Sequence, residues 1–165
     1  MKMLSFASRN SKEILRDRLN LAFGIGFPIV LLLLLSLIQS NIPVELFAIE
    51  KLSPGVAVFG LSFISLFSGM VIARDRTSSF MLRLFASPMT AADFILGYTL
   101  PLLPMAAAQM AVCYAAALLL GLGFSFNILV AIAASIPAAV LFIGLGLLCG
   151  SLFSDKQVGG ICGAL

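Results

Sequence analysis

The side chains that could do chemistry are few and scattered in this chain. Its 165 residues include no histidine, three cysteines, and seven Asp and Glu against ten Lys and Arg. The carboxylates are spread over polar stretches, so no acid and base pair is evident for proton transfer and no catalytic role is expected. Cys113, Cys149 and Cys162 lie in apolar surroundings without CxxC spacing, which reads as packing rather than a disulfide or a metal site. No GxxxxGK[ST] sequence occurs, so ATP has no binding loop of that kind here. The run Gly144-Leu-Gly146-Leu-Leu-Cys-Gly150 has the wrong spacing for a nucleotide loop, and no strand precedes it. The formal net charge of +3 comes without any nucleic-acid motif, and neither a cofactor nor a metal is expected on the chain.

The stretch best suited to meeting a partner is Arg74 to Asp93, RDRTSSFMLRLFASPMTAAD, the one long polar interruption between apolar runs. Within it Phe80, Met81, Leu84 and Phe85 recur at helical spacing, while Arg76, Ser79 and Arg83 fall on the opposite face. That pattern predicts a short amphipathic helix able to lie at a lipid surface and dock on another protein. Thr90 and Asp93 have capping-box spacing and should open the next helix. Three smaller candidates lie in apolar runs. Ser62 and Ser65, with Ser68, repeat every third residue and either bond back to their own helix or line a pathway. Gln109 is an amide in apolar surroundings and either joins helices or faces a substrate path. Gly146 and Gly150 form a GxxxG packing face, within one subunit or between two.

The elements that must position these residues follow from composition. The chain is 61% hydrophobic and 10% charged, with a mean hydropathy of +1.15, which marks an all-α polytopic integral membrane protein. Its stretches without charge are Leu19 to Val44, Leu52 to Ala73 and Phe94 to Ser154. A helical crossing takes about 20 apolar residues, so the last stretch holds two, divided at Gly121-Leu-Gly123 with Asn127 as a helix cap. The expected spans are 21–38, 54–73, 94–120 and 128–153, behind an interfacial helix over residues 1–20 that Asn10 and Glu13 could cap. Pro28 should kink the first span, and Ser53-Pro54 suits the cap and first position of the second. Ser154 and Gln157 open a fifth helix, 155–165, too short to cross a bilayer, so the chain is expected to be a fragment of a longer subunit.

Nine Lys and Arg fall on one side of these spans and only Lys51 on the other. The preference of cytoplasmic loops for basic residues therefore puts the N-terminus and the 74–93 loop inside. No charged residue falls within a predicted span, whereas proton-driven carriers and voltage sensors usually place one there, so an external energy source is favoured.

Taken together, the chain resembles the membrane-spanning permease subunits of ABC-2 type transporters. The resemblance covers nearly all of it and is carried by Arg74-Asp75-Arg76 after the second span, the amphipathic Met81 to Phe85, the small-residue and proline element Ala86-Ser87-Pro88-Met89, and Phe94-Ile-Leu-Gly97 opening the third span. Ser78-Ser79 stand where Gly-Thr is frequent, and Tyr98 where Lys often follows the glycine. The resemblance implies a six-helix subunit, two per transporter as homo- or heterodimer, in the plasma (bacterial inner) membrane. Its 74–93 loop would form a coupling helix docked on a separate ATPase subunit, which binds ATP and Mg, and the whole would act as an exporter. The other reading is a non-transporting membrane protein, such as an assembly or immunity partner; co-purification of an ATPase separates the two.

Overall fold

A computed structural model describes residues 2–41, 48–78, 86 and 90–162. Six helices follow one another: α1 (Lys2–Arg16), α2 (Arg18–Ser40), α3 (Ile49–Thr77), α4 (Ala91–Leu119), α5 (Phe126–Leu152) and α6 (Asp155–Cys162). No strand occurs among the described residues. Four of the helices are long and apolar enough to cross a membrane, which establishes the all-α polytopic class. The expected amphipathic helix, with Ser79, Phe80, Met81, Arg83, Leu84 and Phe85, lies outside the described residues.

α3 is the axis of the bundle, in contact with α2, α4, α5 and α6. In its most apolar window 67% of the residues are buried, against 17% in α2 and in α5, although all three are similarly hydrophobic. Hydropathy marks what enters a bilayer, and side-chain size decides what enters a bundle. Leu61, Ile64, Phe67 and Ile72 of α3 meet Tyr98, Leu102 and Ala106 of α4, Ala139, Ile143 and Leu147 of α5, and Phe6 of α1. Between these larger side chains the backbones come close. A methyl group at Gly146 would overlap Ser68 Oγ and the Ser65 carbonyl, and one at Gly150 would overlap the Gly69 carbonyl and Ile72. The α3–α5 contact thus needs hydrogen at both positions, and the GxxxG face is spent inside the subunit.

Several helix ends differ from the sequence expectation, each for a local reason. α1 runs straight through Asn10 and Glu13, so neither caps it; Asn10 is fully buried and reaches another helix. α2 begins at Arg18 and continues through Pro28 to Ser40. α3 starts at Ile49, five residues before Pro54, with the Ala48 carbonyl accepting from the amides of Lys51 and Leu52. Ser53 is therefore inside the helix and not its cap. At the other end α3 extends through Thr77, which puts Arg74, Asp75 and Arg76 in its last turns instead of in a loop. Asp75 is buried there, just beyond the 54–73 span read from the sequence.

α4 opens on the Thr90 and Asp93 capping box with both halves formed. Gly121, at φ 102°, turns the chain into the α4–α5 hairpin in a conformation that glycine adopts without strain. The cap of α5 is Ser125, whose hydroxyl accepts from the Asn127 amide at 3.3 Å; the short serine side chain wins because it already stands in extended backbone. Ser154 precedes α6, with its amide and hydroxyl both on Gln157 Oε1 at 3.1 and 2.9 Å.

Candidate functional site

The polar side chains of this bundle converge where α3 ends, at the root of the 78–90 segment. Successive residues of a helix are about 100° apart, so Arg74, Asp75 and Arg76 address three different neighbours. Arg74 Nη1 meets Asp17 Oδ2, at the junction of α1 and α2, at 3.3 Å. Asp75 faces α1 and α4. Arg76 Nη1 donates to the Gly150 carbonyl at 3.0 Å, and more weakly to that of Phe153, capping the C-terminus of α5 where unsatisfied carbonyls favour a cation. Three consecutive charges hold α3 to every other helix at this end except α6.

Asp75 is the centre. Its side chain is 4% exposed, so the carboxylate needs partners, and it has three donors. Arg9 Nη1 and Nη2 donate to Oδ2 and Oδ1 at 3.1 and 3.0 Å, a two-pronged pair, and the Tyr98 hydroxyl donates to Oδ2 at 2.7 Å. The bond to Asp75, outweighing partial burial, raises the already high pKa of the Arg9 guanidinium, so Arg9 is charged at any physiological pH. Arg9 also pairs with Glu13, one turn along α1, at 2.9 Å.

The wall of this cluster is aromatic. Phe6 and Phe94 both stand edge-on to the Tyr98 ring, with centroids 5.0 Å away in each case. α1 can come this close because residue 97 is glycine: a methyl there would overlap the Phe6 ring. The Gly97 carbonyl, also buried, accepts from Asn10 Nδ2 at 3.0 Å, which satisfies the buried amide of α1. Phe6, Arg9, Asn10 and Glu13 are one face of a single helix, recurring at three and four residues. Both limbs flanking the 78–90 segment, the end of α3 and the beginning of α4, are thus fastened to α1.

Of the residues singled out from sequence, Arg76 lies at this end, on the α5 carbonyls, and Gly150 supplies one of those carbonyls. The other described ones are dispersed. Ser62 Oγ bonds back to the Phe59 carbonyl, while Ser68 Oγ reaches both Ser65 O, at 2.8 Å, and Ile143 O of α5, at 3.1 Å. Ser65 is fully buried and its hydroxyl has no partner among the described residues. Gln109 Nε2 donates from α4 to the Ala57 carbonyl of α3 at 3.3 Å, its Oε1 being unpartnered among the described residues. Among the described residues no group of carboxylates and cysteines could hold a metal ion.

From sequence, Arg9, Asp75 and Tyr98 have no site role of their own, and Asn10 is offered only as a helix cap. The signal for them was the recurrence of Phe6, Arg9, Asn10 and Glu13 on one face of an N-terminal helix, a mixed stripe that reads as solvated until a buried carboxylate is placed opposite it.

The family profile described as ABC-2 type transporter matches residues 2–165. No curated protein and no solved structure matches the chain. The profile takes in the α1 face, the charged end of α3 and the glycine that opens α4, and with it the chain is placed in the ABC-2 type transporter family as a membrane-spanning permease of an ABC transporter.

Proposed function

We propose that this chain is one permease half of an ATP-driven exporter, pairs with a second permease half, and is driven by a separate ATPase that docks on the 74–93 loop. The ATP and Mg belong to that partner, and the docking side chains are those of the Phe80 to Phe85 segment with Ser79 and Arg83, while Arg76, expected among them from sequence, is engaged on the α5 carbonyls. In this reading the N-terminus and the loop face the cytoplasm of a bacterial inner membrane, as the nine-to-one distribution of basic residues favours.

The observation that carries the reading is the fastening of the loop root. A displacement delivered to residues 78–90 meets α3 and α4, and through Asp75 it meets α1 as well. A connector with no mechanical task has no need of a buried ion pair, whose desolvation offsets much of its attraction. The arrangement supports a rigid platform on which a partner's movement is handed to the spans.

The test is Leu84→Asp, which puts a charge in the dry contact expected with the ATPase. Co-purified ATPase should fall to background, with ATP hydrolysis no longer stimulated by substrate, while the permease inserts at wild-type levels. Undiminished binding and coupling in the variant ends the docking assignment.

A further inference from the structure

At the bundle end opposite α1 lies a cavity of about 520 Å³ between the first turns of α3, the end of α4 and the start of α5. Its polar lining is unusual for its position. Glu50 contributes an exposed carboxylate with no ion pair among the described residues, and no basic side chain lines the cavity. Ser53 is 2% exposed and Tyr114 5%, yet neither hydroxyl has a hydrogen-bond partner among the described residues. A buried serine inside a helix ordinarily bonds back to its own backbone, so a Ser53 hydroxyl that stays free and lines a cavity is left for something else. The remaining wall is apolar, with the Tyr114 ring packed against Leu122, Ile128 and Ala131.

We propose that this cavity binds an organic ammonium carried on an apolar body. The ammonium would donate to the Glu50 carboxylate and to the hydroxyl oxygens of Ser53 and Tyr114, with the electron-rich Tyr114 face beside it. The apolar body would lie along Leu122 and Ile128. An anion of the same shape would meet the Glu50 charge and find no cation to balance its own. The chemistry is shared by two sources, the amine headgroup of a lipid and a soluble organic cation.

The site can be tested on the full chain in dodecyl maltoside, a micelle without charge or amine that exposes both ends of the bundle. The result therefore stands apart from topology and from ATPase docking. Monodansylcadaverine, a primary amine on a dansyl body, should bind saturably, and dansylglycine, which carries a carboxylate, should not. Glu50→Gln changes an exposed residue and should weaken the amine by about tenfold, the loss expected for one charge-assisted bond. Tyr114→Phe, which keeps the ring, should weaken it by about threefold. Displacement of the amine by phosphatidylethanolamine but not by diacylglycerol identifies the lipid headgroup as occupant; displacement by neither identifies a soluble cation. Absent saturable binding, equal binding of dansylglycine, or an unchanged affinity in Glu50→Gln overturns the proposal.

Discussion

The two ends of this bundle use their polar side chains in opposite ways. At the α1 end Arg74, Asp75 and Arg76 are all engaged, and every helix that arrives there is tied to α3 by hydrogen bonds or close packing. At the hairpin end the Glu50 carboxylate and the Ser53 and Tyr114 hydroxyls border a cavity and make no hydrogen bond or ion pair among the described residues. The membrane-spanning stretches between them are nearly uniform in composition, so the contrast arises in the few polar positions. It teaches that polar residues in a small membrane bundle divide by satisfaction: paired ones fix geometry, and unpaired ones beside a void mark where a ligand would go.

The largest expected effect breaks the locked end at its centre. Asp75→Ala removes the acceptor shared by Arg9 and Tyr98; because Arg9 keeps Glu13 and is partly exposed, the cost falls toward the lower end of the roughly 3–5 kcal/mol of a buried pair broken on one side. Thermal unfolding in detergent should show a marked fall in midpoint; an unchanged midpoint would mean that the aromatic contacts and the Asn10–Gly97 bond suffice to hold α1. Next comes Gly150→Leu, which forces α5 away from the Gly69 carbonyl and Ile72 and should cost about 1–3 kcal/mol, since overpacking strains both helices. Because this contact lies within the subunit, the loss should appear in monomer stability before it appears in assembly. The smallest effect sharpens the comparison: Tyr98→Phe deletes one of three donors to Asp75 while keeping the ring, for a cost of about 1 kcal/mol. A Tyr98→Phe loss as large as that of Asp75→Ala would show that the hydroxyl, and not Arg9, is the main partner.

Much of this architecture is legible in the residues themselves. Hydropathy and helix-end chemistry suffice for four crossings, for the Thr90 and Asp93 box and for the turn at Gly121, because each depends on neighbours within a few residues. The start of α3 was misplaced for an instructive reason: Ser53 and Pro54 have ideal types for a helix beginning, but the apolar Ile49 and Leu52 pack beside Leu32 and Val56 and carry the helix further back. Tertiary burial outweighed a local preference. The site at the end of α3 was half legible. Its charges are visible as a cluster, but their partners are 23 to 77 residues away in sequence, and no local pattern reports a pairing of that range. Tyr98 shows the same limit, since its value lies in facing Asp75 across two helices.

The distance in sequence between Arg9 and Asp75 also orders events during synthesis. The two residues are 66 positions apart, so at ribosomal rates Arg9 emerges roughly 3–13 s before its carboxylate partner. For that interval α1 exists without the surface it will lie on, exposing a guanidinium and an aromatic edge at the membrane boundary. When α3 is threaded in, Asp75 arrives at the end of an apolar segment where a lone carboxylate is costly, and the cation that neutralises it is already waiting there. The N-terminal helix thus supplies a counter-ion in advance. A nascent chain lacking it would deliver Asp75 to the end of its apolar helix uncompensated.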